Sequence, residues 1–452
     1  MSVLFDTDAI KPAGESERDL NKAFLASEWR IIPLLFCLWL LAWVDRANVA
    51  FAKLQMLSDL HFSETVYGLG AGLFFLGYVV MGVPCTALQQ RLGARTTISA
   101  IAVGWGLTSV AMMFVKSPAT FYALRFLLGA FEAGFYPGVI LYFNEWFPTK
   151  RRTRNFSIFH SAAICSTIAV GMSGGFVLEH MNGFVGLAGW RWMFVLQAIP
   201  TVLLGCVAFF LLPDGPSTAR WLSASEREQI LRSIAEDRQN GAPQTGKASH
   251  KLLANPMIWV LAGIYFCILT ANSALGFFMP TILREAGFGG YRSVGNAIAA
   301  ICLLGAAGNI AFSTFAGRYR DIRWHCAVAS LVSVVSLIVL VFAWHSDRTT
   351  TFCTLVLAIA GTGAGVSLFW QIPARFLKAA EMALAVPLIS SIANFAGFLT
   401  PWLTGYVRDV SGSYASGFLA AGIVQAFSAV LLVVGIPVVA RRLLPGLSQA
   451  RE

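Results

Sequence analysis

The stretch DGPSTARWLSASEREQILRSIAEDRQNGAPQTGKASHK, residues 214–251, is the only long interior run of this chain that no bilayer span could hold. Almost everything around it is apolar. Of 452 residues, 57% are hydrophobic and 12% are charged, whereas about a quarter of an average soluble domain is charged. That balance argues against a soluble enzyme, and disorder would need low hydrophobicity with high charge. A polytopic membrane protein remains.

A spanning helix takes about 20 apolar residues, and working outward from the polar stretch finds six candidates on each side. They lie near 31–51, 66–88, 97–115, 119–144, 156–178 and 191–212, then near 256–280, 294–316, 325–344, 351–374, 383–407 and 415–440. The expected organisation is an N-terminal tail over 1–29, a six-helix bundle over 30–212, a linker over 213–255, a second six-helix bundle over 256–440 and a C-terminal tail over 441–452. Inside the linker, Ser223 followed by Glu226 forms a capping box, and Ile230, Leu231 and Ile234 make one apolar face that ends at Asn240-Gly241. This predicts a surface helix with flexible flanks, a spacer between two moving bundles. Glycine and proline recur inside the spans (Gly68, Gly70, Gly72, Gly129, Gly134, Gly171, Gly174, Gly175, Pro137, Pro280, Pro387, Pro401), as close helix approach and bending require.

Thirty-three basic and 23 acidic residues give a net charge of +10. Sorted by loop, 24 basic residues fall on the side of the termini, and six fall opposite: Lys53, Lys116, Arg284, Arg292, Arg348 and Arg408. Basic loops stay in the cytoplasm, so both termini are expected there, and the positive charge calls for no nucleic-acid partner. The first thirty residues carry Asp6, Asp8, Glu15, Glu17 and Asp19 and lack the basic start and early apolar core of a cleaved signal. Eight scattered cysteines, without CxxC or His-paired spacing, read as packing residues and not as a disulfide or metal framework.

An ionisable side chain at bilayer depth costs about 2.5–3.5 kcal/mol on insertion scales and is a functional hypothesis by default. Asp45 and Glu132 are the acids that fall well inside spans, and Arg46 and Arg125 the bases, with Arg191 at an edge. Span 1 runs outward and span 4 inward, so at about 1.5 Å per residue Arg46 and Arg125 reach nearly one level. Arg125 and Glu132 are two helical turns apart, and Tyr136 continues their stripe. Pairing of Asp45 with Arg125 and of Arg46 with Glu132 as mere helix glue is one reading. Buried ion pairs are weak stability devices, and an arginine fork matches a carboxylate; an anionic substrate and a proton site are the other reading. The second half offers isolated polar groups: Tyr265 and Asn272 in span 7, Trp370-Gln371 ending span 10, and Ser390, Ser391 and Asn394 in span 11. Tyr78 sits midway in span 2, and His160 reads as an interfacial histidine. No His/Glu metal set, GxSxG or P-loop occurs, so neither an enzyme nor a cofactor is expected beyond the proton as coupling ion.

The runs WVDRANVAFAKLQM (43–56), GLGAGLFFLGYVVMGVP (68–84), RLGAR (91–95), RFLLGAFEAGFYPG (125–138), WFPTKRRTR (146–154), GLAGWRWMFVLQAIP (186–200), FWQIPARFL (369–377) and ISSIANFAGFLTPWLTGYVRD (389–409) resemble the major facilitator superfamily, and within it the anion:cation symporter family. The resemblance covers about 29–440. It implies the major facilitator fold, an all-α membrane protein of twelve transmembrane helices in two six-helix bundles. It also implies a bacterial inner-membrane protein like the carriers of tartrate, phthalate, hydroxyphenylacetate and sugar acids. On matching positions it implies proton coupling by Asp45 and Glu132, anion recognition by Arg46 and Arg125, and substrate contact by Tyr78, Trp370 and Asn394. The superfamily's acid between spans 2 and 3 is replaced by Gln90, the turn after span 8 reads AGRYRDIRW, and ALQQ follows Pro84-Cys85-Thr86. The expected protein is a monomer in the lipid bilayer that imports a small organic anion with protons. Its substrate site would be lined by Arg46, Arg125, Tyr78, Trp370, Asn394, Ser391, Asn272 and Tyr265. Anion exchange without proton movement and a transporter-like sensor signalling through the linker are the rival expectations.

Overall fold

The structure, a computed structural model, describes residues 13–241, 254–319, 321–377 and 379–443. Residues 1–12 of the expected N-terminal tail, 444–452 of the expected C-terminal tail and the 242–253 part of the expected linker lie outside the described residues. Among those described, twelve helices are long and apolar enough to cross a membrane: Glu17–Leu60, Glu64–Leu92, Ala94–Phe114, Pro118–Trp146, Thr149–His180, Gly189–Leu211, Pro256–Glu285, Tyr291–Ala316, Ile322–Ala343, Arg348–Arg375, Leu384–Ser411 and Ala415–Arg441. These are spans 1 to 12. Because the count is even, both termini lie on one face, here the terminal face. Their outer surfaces are apolar in a way water would not tolerate, with Val83, Phe210 and Phe342 each at least three-quarters exposed.

Span 1 exceeds its expected length, belonging to a helix that runs Ala13–Leu60. Lys53, read from sequence as a loop residue, therefore sits inside this helix at 3% exposure. The reason is local: VAFAKLQML has no glycine, proline or capping residue that would end a helix before Leu60. Span 4 departs in the other direction. Its helix stops at Glu132, passes through Ala133-Gly134 and resumes as Phe135–Trp146. Pro137 lacks an N–H, and its ring crowds the carbonyl four residues back, at Ala133. Glu132 and Tyr136 are thus on two helical segments, not on one continuous stripe.

Close packing depends on missing side chains. A Cβ on Gly129 would lie 1.9 Å from the Phe74 carbonyl oxygen, and one on Gly77 2.2 Å from that of Phe126, so spans 2 and 4 touch through backbone. The two halves meet in the same manner. Gly295 of span 8 abuts the Gly171 oxygen of span 5, Gly68 of span 2 abuts Pro401 of span 11, and Gly405 of span 11 abuts Glu64 of span 2. All these crossings lie on the face opposite the termini.

The buried apolar residues divide accordingly. One cluster on the opposite face fuses both halves, joining Phe51, Tyr67 and Trp190 to Phe278, Ile298 and Phe418. Toward the terminal face each half has a separate core, one around Trp39, Phe135 and Phe159 and the other around Ile264, Phe369 and Ile389. The halves are sealed on the opposite face and parted on the terminal one.

The linker helix, Ala224–Gly241, forms with the expected box: the Ser223 N–H donates to Glu226 Oε2 at 2.8 Å and the Glu226 N–H to Ser223 Oγ at 3.2 Å. It is not free of the bundles. Ile230 and Ile234 are buried in the first half's terminal core, and Asp237 caps span 5 by accepting from the Thr149 N–H at 2.9 Å and its hydroxyl at 2.8 Å. Trp221, just before it, stacks on Trp146 with centroids 5.8 Å apart. The helix is a fixed part of the first half.

Candidate functional site

Span 1 carries Asp45 and Arg46 at successive positions, which a helix turns about 100° apart. They consequently enter different surroundings. Asp45 is fully buried and faces span 3. Its Oδ2 accepts from Trp105 Nε1 at 2.9 Å, and its Oδ1 accepts from Ser109 Oγ at 2.8 Å and from Asn48 Nδ2 at 3.2 Å. The pairing with Arg125 weighed from sequence is not made.

Arg46 faces span 4 and the gap between the halves. Its Nε donates to Glu132 Oε1 at 2.5 Å, with Glu132 fully buried and the arginine side chain 16% exposed. The guanidinium carbon lies 5.0 Å from the ring centres of Trp43 and Tyr78, 5.4 Å from Phe74 and 5.5 Å from Trp39. Rings on this scale hold a cation by their quadrupoles and also fix its plane. Arg125, also fully buried, donates from Nε to the Gly70 oxygen and from Nη2 to the Ala71 oxygen, both at 3.3 Å, and lies over Phe74. Three polar atoms of this cluster are buried with no hydrogen-bond partner: Arg46 Nη2, Arg125 Nη1 and Glu132 Oε2. Buried polar groups are nearly always paired, so these are spare donors and an acceptor.

The second half presents aromatic and neutral polar groups. Tyr265 stacks on Phe369 at 4.7 Å and meets Trp370 edge-on at 5.0 Å. Spans 2 and 11 run antiparallel, with Gly68 against Pro401, Gly72 against Phe398 and Phe75 against Gly397. Continuing that register places Tyr78 level with Ser391 and Asn394. Ser391 and Asn272 are exposed, and Tyr78, Tyr265, Trp370 and Asn394 are half-buried. No contact joins Asn272 or Asn394 to the charged cluster in this conformation; His160 is exposed and touches Phe156 and Tyr136 through ring contacts.

A second polar constellation seals the opposite face. Lys53 Nζ pairs with Glu64 Oε2 and donates to the Tyr414 hydroxyl, each at 2.8 Å, inside a box formed by the Tyr67, Phe278 and Tyr414 rings. The Tyr414 hydroxyl donates to Glu64 Oε1 at 2.5 Å, and Asp409 caps span 2 by accepting from the Glu64 and Thr65 N–H groups. The sequence held one sign of this: Lys53 is two turns beyond Arg46 and shares its helix face. Trp105 and Ser109 were also missed, although their four-residue spacing places both on one face of span 3.

Residues 34–401 match the Major Facilitator Superfamily. A protein of Pseudomonas putida named as a metabolite transport protein, NicT, is 40% identical over 87% of this chain and 90% of its own length. An Agrobacterium vitis protein named as a tartrate transporter is 37% identical over 89% and 92%. Among solved structures, a bacterial homolog of the human lysosomal transporter Spinster, in an inward-facing conformation, superposes with a TM-score of 0.73 at 16% identity, covering 92% of this chain and 98% of that one.

Proposed function

This chain belongs to the major facilitator superfamily and is a multi-pass membrane transporter, not an enzyme; from that premise we propose that it imports a small organic carboxylate together with protons by alternating access. The observation that carries the reading is the unpaired set at the meeting of the halves. Arg46 Nη2 and Arg125 Nη1 are buried donors awaiting an acceptor, and Glu132 Oε2 is an acceptor awaiting a donor or a proton.

A substrate carboxylate satisfies both arginines, and it competes with Glu132 for Arg46. Glu132 deprived of its counter-charge takes up a proton; once the substrate leaves, Arg46 pairs with it again and the proton is released. That exchange of partners makes substrate and proton favour each other's binding by one reciprocal free energy. Tyr78 and Asn394, level across the gap, are the pair that a rocking second half would bring onto the substrate, with Tyr265, Trp370, Asn272 and Ser391 lining its side of the cavity. The relative named for tartrate transport favours a hydroxylated carboxylate as the first probe. The basic residues of the terminal face support a reading with both termini in the cytoplasm of a bacterial inner membrane and a monomer as the working unit.

Glu132→Gln tests the reading in proteoliposomes. It keeps the geometry of a protonated acid, so tartrate exchange across the membrane should persist while accumulation driven by a pH gradient is lost. Accumulation equal to the parent's, with unchanged pH dependence, would move the proton role elsewhere and favour a plain exchanger.

A further inference from the structure

The two acids of the central cluster, Asp45 and Glu132, are built differently, and the difference lies in span 3. Glu132 has one partner and one unpaired oxygen, whereas Asp45 has both oxygens occupied by three neutral donors: the Trp105 indole, the Ser109 hydroxyl and the Asn48 amide. Trp105, Ser109 and Asn48 are themselves fully buried. The charged groups that face Asp45 are Glu132 and Arg125 from span 4, and neither reaches it with a hydrogen bond. Arg46, its neighbour in span 1, is committed to Glu132.

We infer that Trp105 and Ser109 are the positioning residues of Asp45: they hold its carboxylate away from both arginines and set the pH at which it exchanges a proton. The inference deepens the proton-coupled reading and rests on it for its consequence in transport. Neutral N–H and O–H donors favour the ionised form of a carboxylate. A hydrogen bond to a charged group is worth enough to move a titration by about one to two pH units. Among the described residues, the groups around this carboxylate come from spans 1, 3 and 4, all in the first half, so rocking of the second half leaves its hydrogen bonds unchanged. Asp45 is then a proton site whose hydrogen-bond partners stay with it as the halves move, and Glu132 one whose partner the substrate competes for.

The test needs no substrate. In the purified full-length protein, the carboxyl band lost in Asp45→Asn is followed by infrared difference spectroscopy across pH. Trp105→Phe keeps an aromatic ring but removes the N–H, and Ser109→Ala removes the hydroxyl; each should move the midpoint of that band to higher pH by about one to two units. Ser109→Thr keeps the hydroxyl and should titrate as the parent does, which keeps the inference testable if Trp105→Phe does not fold. An unchanged midpoint in Ser109→Ala overturns it. Uptake of radiolabelled tartrate by the same proteins separates the two readings. Midpoints that shift in a protein with no pH-dependent uptake uphold the role of span 3 and sink the coupled function; pH-dependent uptake with fixed midpoints does the reverse.

Discussion

Tyr414→Phe should loosen the seal on the face opposite the termini by about 2 kcal/mol. The tyrosine belongs to the second half, and its hydroxyl both accepts from Lys53 and donates to Glu64, which belong to the first. Each is a hydrogen bond to a charged group, worth about 1.5–3 kcal/mol, so two of them bound the effect at about 3–6 kcal/mol. Much of this is recovered when the face opens, because Lys53 and Glu64 remain paired with each other and Glu64, with its side chain already 19% exposed, gains water. Phenylalanine also keeps the ring that lies 4.7 Å from the Lys53 ammonium. About 2 kcal/mol is left, and at about 1.4 kcal/mol per factor of ten it raises the open fraction about thirtyfold. A single cysteine at Ala274, fully buried in the core that fuses the halves, reports that fraction in a background without the native cysteines. A maleimide that cannot cross membranes, added from the opposite face, should label Tyr414→Phe about thirty times faster than the parent. Equal rates would show that the hydroxyl does not hold the halves together and that the glycine crossings carry the seal.

Those crossings make their own prediction. A Cβ on Gly295 would sit 2.1 Å from the Gly171 oxygen, whereas one on Gly82 meets nothing within 4 Å. Overpacking costs about 1–3 kcal/mol, so Gly295→Ala should raise labelling at the Ala274 position about tenfold or more, and Gly82→Ala should not change it. Arg46→Lys and Arg125→Lys should each fold yet lose most thermal stabilisation by tartrate, because an ammonium offers a point charge where the cluster holds a planar fork; near-parental stabilisation in either would remove that arginine from the site. Asp237→Ala should cost about 1 kcal/mol, as loss of a helix cap does, and speed amide hydrogen exchange across residues 224–239. The Thr149 hydroxyl and N–H hold the Asp237 carboxyl below its ordinary range. Its contribution is accordingly full above pH about 4 and is lost as the pH falls further; protection in the parent, taken as the exchange rate relative to that of the unstructured peptide at the same pH, should fall only under those acidic conditions.

The twelve spans were legible because a bilayer demands a run of apolar residues, and that signal needs no tertiary information. The four buried charges were legible for the complementary reason: in such runs a charge is costly and conspicuous. What composition cannot give is direction. Asp45 and Arg46 are neighbours in sequence, yet one faces span 3 and the other span 4, and only the packing of three helices decides that Asp45 meets Trp105 and not Arg125. Lys53 escaped because span 1 was ended too early, at about residue 51, which turned a buried cation into a loop residue. The break in span 4 was signalled by Pro137, whose ring crowds the Ala133 carbonyl, and Gly134 at the break also lets Cys85 of span 2 approach closely. The docking of the linker helix was half visible, since its apolar face had to cover something, although nothing in its sequence named the start of span 5 as the partner.

The position of the charges relative to the seams limits how the molecule can work. All four central charges belong to the first half, whose terminal core is tied by the ring contacts of Trp39 with Phe135, Tyr136 and Phe159. Between the halves run the shared apolar cluster, the glycine crossings and the polar lock around Lys53, all on the face opposite the termini. The first half can therefore keep its internal order while the second rocks against it. In such a motion Asp45 keeps every partner it has, and Arg125 keeps the carbonyls of Gly70 and Ala71. The Arg46–Glu132 pair is the element with unspent bonding capacity that borders the gap, and Tyr78 beside it is level with Asn394 across the gap. Any force that the second half or a substrate exerts on the charged cluster must enter there, through competition for Arg46, which is why the behaviour of Glu132→Gln decides more than any other substitution in this chain.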